Sequence, residues 1–400
     1  LIFGASTRAA AQSALRAGFR PTCADRFADE DLREVADVLV VERYPDDLGK
    51  IIDHSLACPW IYTGALENRP ALLEQLAALR LLLGNPADVV RAVRDPFRLY
   101  DVLDRQGLPA LAVRRTDQPP PRDGRWMLKP WRGSAGRGIC VWDALAPSLH
   151  GLNEPYYFQQ RAGGQPISGL FLATGGATTL IGATEQWIGR PELFAKSFIY
   201  CGSIGPIDLP EAPLSQIAQC GARIASEFGL RGLFGVDFLQ ENAVAWPTEV
   251  NPRYTASVEI YERTMEMPLL NWHVQACEAH PDPSKSRDLT EQFRKTVAEA
   301  RSDTRRGVAA KAIVYAPFYL QTPDLVTLEK SDDFASTGIK IADRPAVDSP
   351  VAEGAPICTL IAERTAKPGL GSFQRALAAL ATEFERIRPK SKVQSPRSNP

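Results

Sequence analysis

Gly235-Val236-Asp237-Phe238-Leu239 and, nine residues on, Thr248-Glu249-Val250-Asn251-Pro252-Arg253 form the stretch that decides how this chain is read. Two runs of strand-forming residues flank a turn near Glu241-Asn242, so a β-hairpin is the simplest reading. Side chains alternate between the faces of a strand, which puts Asp237, Glu249 and Asn251 on one face. A turn centred near Ala243 sets Asp237 opposite Glu249, with Cα atoms about 5 Å apart. Like charges that close repel unless a cation lies between them, and oxygen-only ligands suit Mg²⁺, with Mn²⁺ as its substitute. Mg²⁺ normally shares its shell with nucleotide phosphates, and Arg253 adds a planar fork for phosphate. Taken alone, a hairpin with solvated acids accounts for the same residues.

Upstream, Lys129-Pro130-Trp131-Arg132-Gly133-Ser134-Ala135-Gly136-Arg137-Gly138-Ile139 places a lysine at a strand end and a glycine-rich loop before the next strand. Glycines let several backbone N–H groups converge on phosphate oxygens, and Lys129 supplies a point charge beside them. No Gly-Lys-Ser/Thr closes the loop, so it is not a Walker A loop. Together the basic hairpin and the acidic hairpin point to one metal-nucleotide.

In this order the motifs resemble the ATP-grasp superfamily, and Glu249-Val250-Asn251-Pro252-Arg253 matches its terminal Glu-x-Asn-x-Arg-like signature over a likeness spanning residues 88–280. The resemblance implies an ATP-grasp fold, mixing α/β and α+β layers, with a Rossmann-like N-terminal domain and a small C-terminal β-rich domain. By position it implies that Lys129 contacts the α- and β-phosphates and that Gly133, Ser134, Gly136 and Gly138 close over the phosphate tail. It further implies that Asp237, Glu249 and Asn251 hold Mg²⁺, and that Arg253 stabilises the transferring phosphoryl group. Residues 157–162, with Gln159, Gln160 and Arg161, are expected to line the adenine pocket, and Lys196 to reach the γ-phosphate. A structural alternative for the glutamines is the polar face of an ordinary strand.

Two departures from the superfamily pattern stand out. Pro96, in Arg94-Asp95-Pro96-Phe97-Arg98, occupies the place of a phosphate-binding lysine, leaving Arg94 and Arg98 as candidates for the missing charge. Gln165-Pro166 stands where an acidic ribose ligand is expected.

Outside these motifs, the organisation supports several domains. The 400 residues exceed what one core usually organises. Strand candidates at 1–4, 21–24, 38–41, 60–63 and 81–83 alternate with helical stretches, the pattern of parallel crossovers, which defines an N-terminal α/β layer over 1–88. The turn Gly4-Ala5-Ser6-Thr7, with Asp25 after the second strand, also suits a dinucleotide, although a GxGxxG pattern is incomplete. Short strands at 126–130, 139–142, 156–160, 167–173 and 178–186, with Gly175-Gly176 as a hairpin turn, and a helix over 214–228 fill an ATP-grasp domain over 89–285. Residues 280–286 read as a linker, 286–388 as a β-rich domain ending in a helix over 372–387, and 389–400 as a disordered tail. Lys311 and Asp343 in that last domain suit substrate contact or, more simply, ion pairing.

Lysine and arginine total 46 against 47 aspartate and glutamate, a net charge of −1 that gives no global attraction to nucleic acid or anionic membrane. The seven cysteines are scattered and lack a CxxC pair, and the four histidines lack ligand spacing, arguing against zinc and disulfide frameworks. No membrane-length apolar run or signal segment is evident, so the expectation is a cytoplasmic enzyme, with a homodimer as the candidate assembly.

The function expected is an ATP-dependent ligase. A substrate carboxylate becomes an acyl phosphate that an amine then attacks, with ATP and Mg²⁺ as cofactors and small molecules as partners. Alternatives are a biotin-dependent type of carboxylase, a non-catalytic nucleotide-binding scaffold, and an oxidoreductase built on the N-terminal layer.

Overall fold

In a computed structural model, residues 1–54, 57–149, 152, 155–175, 177–279, 282–303, 307–365 and 370–388 are described. The expected tail at 389–400 and Gly176 of the expected turn lie outside them.

Four parallel strands open the chain, in the spatial order Asp37–Val40, Thr22–Asp25, Ile2–Gly4, Ile61–Tyr62. The stretch expected as a fifth strand contributes one parallel bridge, Trp60 to Leu82. At the first turn, the Asp25 carboxylate accepts from the backbone N–H groups of Thr7, Phe27 and Ala28 and from the Thr7 hydroxyl, all at 2.6–2.8 Å. Those four donors account for the acid at the strand end, so the dinucleotide reading of this turn gives way to a structural one.

The central cleft is built from two antiparallel sheets. A small sheet runs Val113–Arg115, Tyr156–Gln160, Trp126–Pro130, Cys140–Val141. A large sheet of eight strands runs in the order Val244–Asn251, Arg231–Glu241, Gln165–Thr174, Thr178–Ile188, Tyr200–Ile207, Val308–Tyr315, Pro356–Thr365, Ile339–Ala342. The helix Glu211–Phe228 covers this sheet and stops at Gly229, whose φ of +69° favours a residue without Cβ. It buries Ile217, Ile224 and Phe228 against Phe171 and Phe234, whose rings stack at 5.0 Å. Each such side chain contributes about 1.5–3 kcal/mol on burial.

Two features of the C-terminal part differ from the sequence expectation. The helix Pro283–Ser302 begins where a linker was expected, and the boundary expected at 285 falls inside it. Asp282 caps its start, accepting from the N–H groups of Ser284 and Lys285, and Pro283 occupies its first turn, signals that a polar composition masked. The C-terminal strands also continue the large sheet, because Val308–Tyr315 pairs with Tyr200–Ile207 in the register Ser203 to Lys311. They therefore share a sheet with the central strands.

Buried ion pairs tie the parts together. Arg8, 2% exposed, bridges Glu259 at 2.8 Å and Asp343 at 2.7 Å, and Lys311 reaches Glu259 at 3.2 Å. Burial opposes the charge on Glu259, but Arg8, Lys311 and Arg263 outweigh it and hold the carboxyl well below its usual range. Lys311 and Asp343 thus serve in ion pairing. Among the described residues, no helix is long and apolar enough to cross a membrane.

Candidate active site

The strands Arg231–Glu241 and Val244–Asn251 pair with Asp237 directly opposite Glu249 and Gly235 opposite Asn251, the register read from the sequence. A register irregularity follows Asp237, between it and Phe238, and such a bulge turns a side chain locally. Asp237 Oδ1 accepts from Gln186 Nε2 and Oδ2 from Asn251 Nδ2, each at 3.0 Å. Burial first, then the charge of Glu249, push the Asp237 carboxyl up to about 6. Burial acts on Glu249 in the same sense, but the cations Arg94 and Lys129 outweigh it and leave that carboxyl below its usual value. The two acids therefore respond oppositely to one environment because Arg94 and Lys129 stand beside Glu249, while Asp237 is left with the weaker pull of Arg253.

This donor set fits a hard divalent ion: two facing carboxylates, one of them held with too little positive charge, and an amide oxygen from Asn251. Among the described residues, no group of three or more His, Cys, Asp or Glu side chains converges on a metal position. The set is thus too small for an all-protein cage and suits an ion that shares its shell with a ligand's oxygens.

Lys129, next to last in the strand Trp126–Pro130, donates through Nζ to Gln159 Oε1 at 3.0 Å and to the Thr248 carbonyl at 3.3 Å. The small sheet and the acidic hairpin are thereby joined through one ammonium group. Beyond it the glycine-rich loop folds down, and the Tyr200 N–H donates to the Ala135 carbonyl at 3.2 Å. Gly136 has a φ of +80°, and a Cβ there would stand 1.8 Å from the Phe198 carbonyl oxygen. Only glycine permits that approach. Gly138 sits under Tyr156 and Pro130.

Two adjoining cavities result. The smaller, about 50 Å³, is lined by Val93, Leu99, Ile139, Tyr157, Gln159 and Val250 with Arg94 and Lys129 at its polar end. The larger, about 250 Å³, is lined by Asp237, Glu249, Asn251, Arg253 and Glu67, with hydroxyls from Ser168, Tyr200 and Ser203. Lys129, Gly133, Ser134, Gly136 and Glu249 border both.

Glu67, in the short helical turn Leu66–Asn68 after the strand Ile61–Tyr62, was not singled out from sequence. It is 3% exposed and pairs with Arg253 at 2.8 Å, while Arg253 Nη2 donates to Asn251 Oδ1 at 3.2 Å. The N-terminal layer thus fixes the arginine fork beside the acid pair. Its place at the carboxyl end of a parallel strand is the one signal that marked this loop. Arg94 ion-pairs with Glu249 and donates to Asn68 Oδ1 at 3.0 Å and the Gly133 carbonyl at 3.3 Å. Arg98 instead lies over the Phe228 ring, so of the two candidates for the missing charge only Arg94 reaches the cavities.

Other expected residues lie elsewhere. Lys196 is 72% exposed on its side chain and approaches Glu353 at 3.9 Å, while Leu193 and Ala195 beside it are buried. Gln160 follows Gln159 and so points to the opposite face, where its Oε1 accepts from the Ala112 N–H. Arg161 donates to the Gly124 carbonyl at 3.3 Å. Tyr157 and Gln159 line the cleft as expected for a strand's alternate positions.

Residues 93–257 match the model of the ATP-grasp domain family. No curated protein matches the sequence. Among solved structures, N5-carboxyaminoimidazole ribonucleotide synthetase from Thermus thermophilus superposes with a TM-score of 0.65 at 16% identity, covering 98% of this chain and 99% of that one. The biotin carboxylase complex with β,γ-ATP from Campylobacter jejuni gives 0.62 at 14% identity, covering 90% and 86%. The biotin carboxylase domain dimer of Hydrogenobacter thermophilus 2-oxoglutarate carboxylase, with MgADP and bicarbonate, gives 0.60 at 14% identity, covering 90% and 85%. At these identities the likeness is one of fold.

Proposed function

We propose, from the match of residues 93–257 to the ATP-grasp domain family, that this protein is an ATP-dependent ligase that activates a small-molecule carboxylate as an acyl phosphate for attack by an amine. One observation carries the reading: Asp237 faces Glu249 across a strand pair, with Lys129, Arg253 and the glycine-rich loop grouped around the same cleft.

The smaller cavity offers apolar walls from Val93, Leu99, Ile139 and Val250 and the amide of Gln159 for a nucleotide base. Lys129 and the backbone of residues 133–136 then meet the phosphates. Asp237, Glu249 and Asn251 would hold a divalent ion, which when bound neutralises charge on the phosphate oxygens. Arg253, fixed by Glu67, presents its fork to the transferring phosphoryl group. A carboxylate oxygen forms a bond to the γ-phosphorus while the bridging bond to ADP breaks. The amine nitrogen then bonds the acyl carbon, the bond from that carbon to the phosphate-bearing oxygen breaks, and inorganic phosphate leaves with the amine proton passing to solvent. The work asked of the protein is positioning, charge placement and exclusion of water by the loop.

The fold likeness to biotin carboxylases favours one rival, a carboxylase using bicarbonate and biotin. The protein should be incubated with MgATP and pooled carboxylic acids labelled with ¹⁸O, with and without pooled amines. The ligase reading predicts ADP release that needs both pools and one ¹⁸O atom per phosphate released. Release that needs only bicarbonate and biotin selects the carboxylase, and nucleotide binding without turnover contradicts both.

A further inference from the structure

The position of Arg94 has a consequence for the order of binding. Its side chain is only 11% exposed, and it contacts three separate parts of the site. It ion-pairs with Glu249 of the acidic hairpin, donates to Asn68 of the N-terminal layer and donates to the Gly133 carbonyl of the glycine-rich loop. Asn68 Nδ2 donates to the same Gly133 carbonyl at 3.0 Å, which ties the loop down from a second direction. Arg94 also borders the smaller cavity beside Lys129.

A guanidinium on Glu249 supplies positive charge that facing carboxylates need, and it covers Oε1, an oxygen a metal would use. Asp237 differs, because its hydrogen-bond partners, the amides of Gln186 and Asn251 and the Ser168 hydroxyl, are all neutral. Positive charge is therefore concentrated on Glu249, where Arg94 makes the ion pair from within the cleft and Lys129 adds to it. Phosphate oxygens entering there offer the same fork a more highly charged bidentate partner.

We propose that Arg94 is an exchangeable internal cation: it occupies Glu249 while the cleft lacks nucleotide and transfers to the phosphates when nucleotide enters, so that the divalent ion binds with nucleotide and not before it. This rests on the reading of Asp237 and Glu249 as the metal-holding pair. The exchange also gives a reason for an arginine at 94 where Pro96 displaces the superfamily's lysine. A fork can hold Glu249 and the Gly133 carbonyl at once, which a point charge does less well. Release of Arg94 removes one of the two ties on Gly133, so nucleotide entry and loop movement are coupled through one side chain.

The test is Mn²⁺ binding to the full chain, read from the loss of the free-ion paramagnetic resonance signal, with and without a non-hydrolysable ATP analogue. The wild type is expected to bind Mn²⁺ weakly alone and tightly with the analogue. Arg94→Gln should tighten nucleotide-free Mn²⁺ binding by about tenfold or more, the affinity returned when an internal competitor is removed. Arg94→Lys, which keeps a cation beside Glu249, should retain the wild-type order and controls for folding. Unchanged nucleotide-free binding in Arg94→Gln, with analogue-supported binding still dependent on Glu249, overturns the exchange and leaves the metal assignment standing. Mn²⁺ binding with the analogue that survives Glu249→Gln unaltered overturns the metal assignment and the exchange with it.

Discussion

Replacing Gly136 with alanine tests whether the glycine-rich loop works in the folded-down position. Two costs follow from the geometry. The φ of +80° costs an L residue about 1–2 kcal/mol. The new Cβ would also lie 1.8 Å from the Phe198 carbonyl oxygen and 2.7 Å from its carbonyl carbon. These are backbone atoms, and ordinary contact begins above 3 Å, so the loop must withdraw by more than 1 Å. Withdrawal forfeits the hydrogen bond from Tyr200 N–H to the Ala135 carbonyl, worth about 0.5–1.5 kcal/mol. The folded-down state therefore becomes less favourable by about 2–3 kcal/mol, which is roughly 30- to 150-fold in affinity for a ligand that needs it. Calorimetric titration with a non-hydrolysable ATP analogue reads that loss. Gly229→Ala is the matched control: its φ is +69°, nothing lies within 4 Å of the added Cβ, and it ends a helix far along the chain from the loop. It should lower stability by about 1 kcal/mol and leave affinity unchanged. Wild-type affinity in Gly136→Ala would refute the role given to the loop.

Other consequences concern buried charge. His273 is 2% exposed; its Nδ1 accepts from the Leu233 N–H at 2.8 Å and its Nε2 donates to the Leu83 carbonyl at 2.9 Å, and burial pushes the ring down to about 4. Because the unfolded chain takes up a proton near pH 6.5 and the folded chain does not, stability should fall as pH drops from about 6.5 to 4, by up to about 3 kcal/mol. Urea melts over that range should lose this part of their slope in His273→Gln. Arg8→Met leaves Glu259 and Asp343 facing each other without their shared cation and should cost about 3–5 kcal/mol, measurable as a lower Tm than in Arg8→Lys.

How far the site was legible follows from where its information lies along the chain. Period-two alternation within one hairpin was enough to set Asp237 opposite Glu249, and the pairing register agrees. The same alternation separates Gln159, which enters the cleft, from Gln160, which does not, but only a known sheet face says which of the two points inward. Glu67 and Arg253 are 186 residues apart, and Asp343 lies 335 from Arg8. Such pairs depend on how whole layers dock, which local pattern does not carry. Lys196 was expected at the γ-phosphate; its outward position near Glu353, beside the buried Ala195, was not legible from local pattern. The linker expected at 280–286 overlooked Asp282 and Pro283, an N-cap residue followed by a first-turn proline, which together favour a helix start.

The most direct measurement is anomalous diffraction at the manganese edge from crystals grown with Mn²⁺ and a non-hydrolysable ATP analogue. The account predicts an anomalous peak between the carboxylates of Asp237 and Glu249, in contact with the phosphate tail and beneath the loop at 133–138. A bound analogue with its metal away from both carboxylates would contradict it.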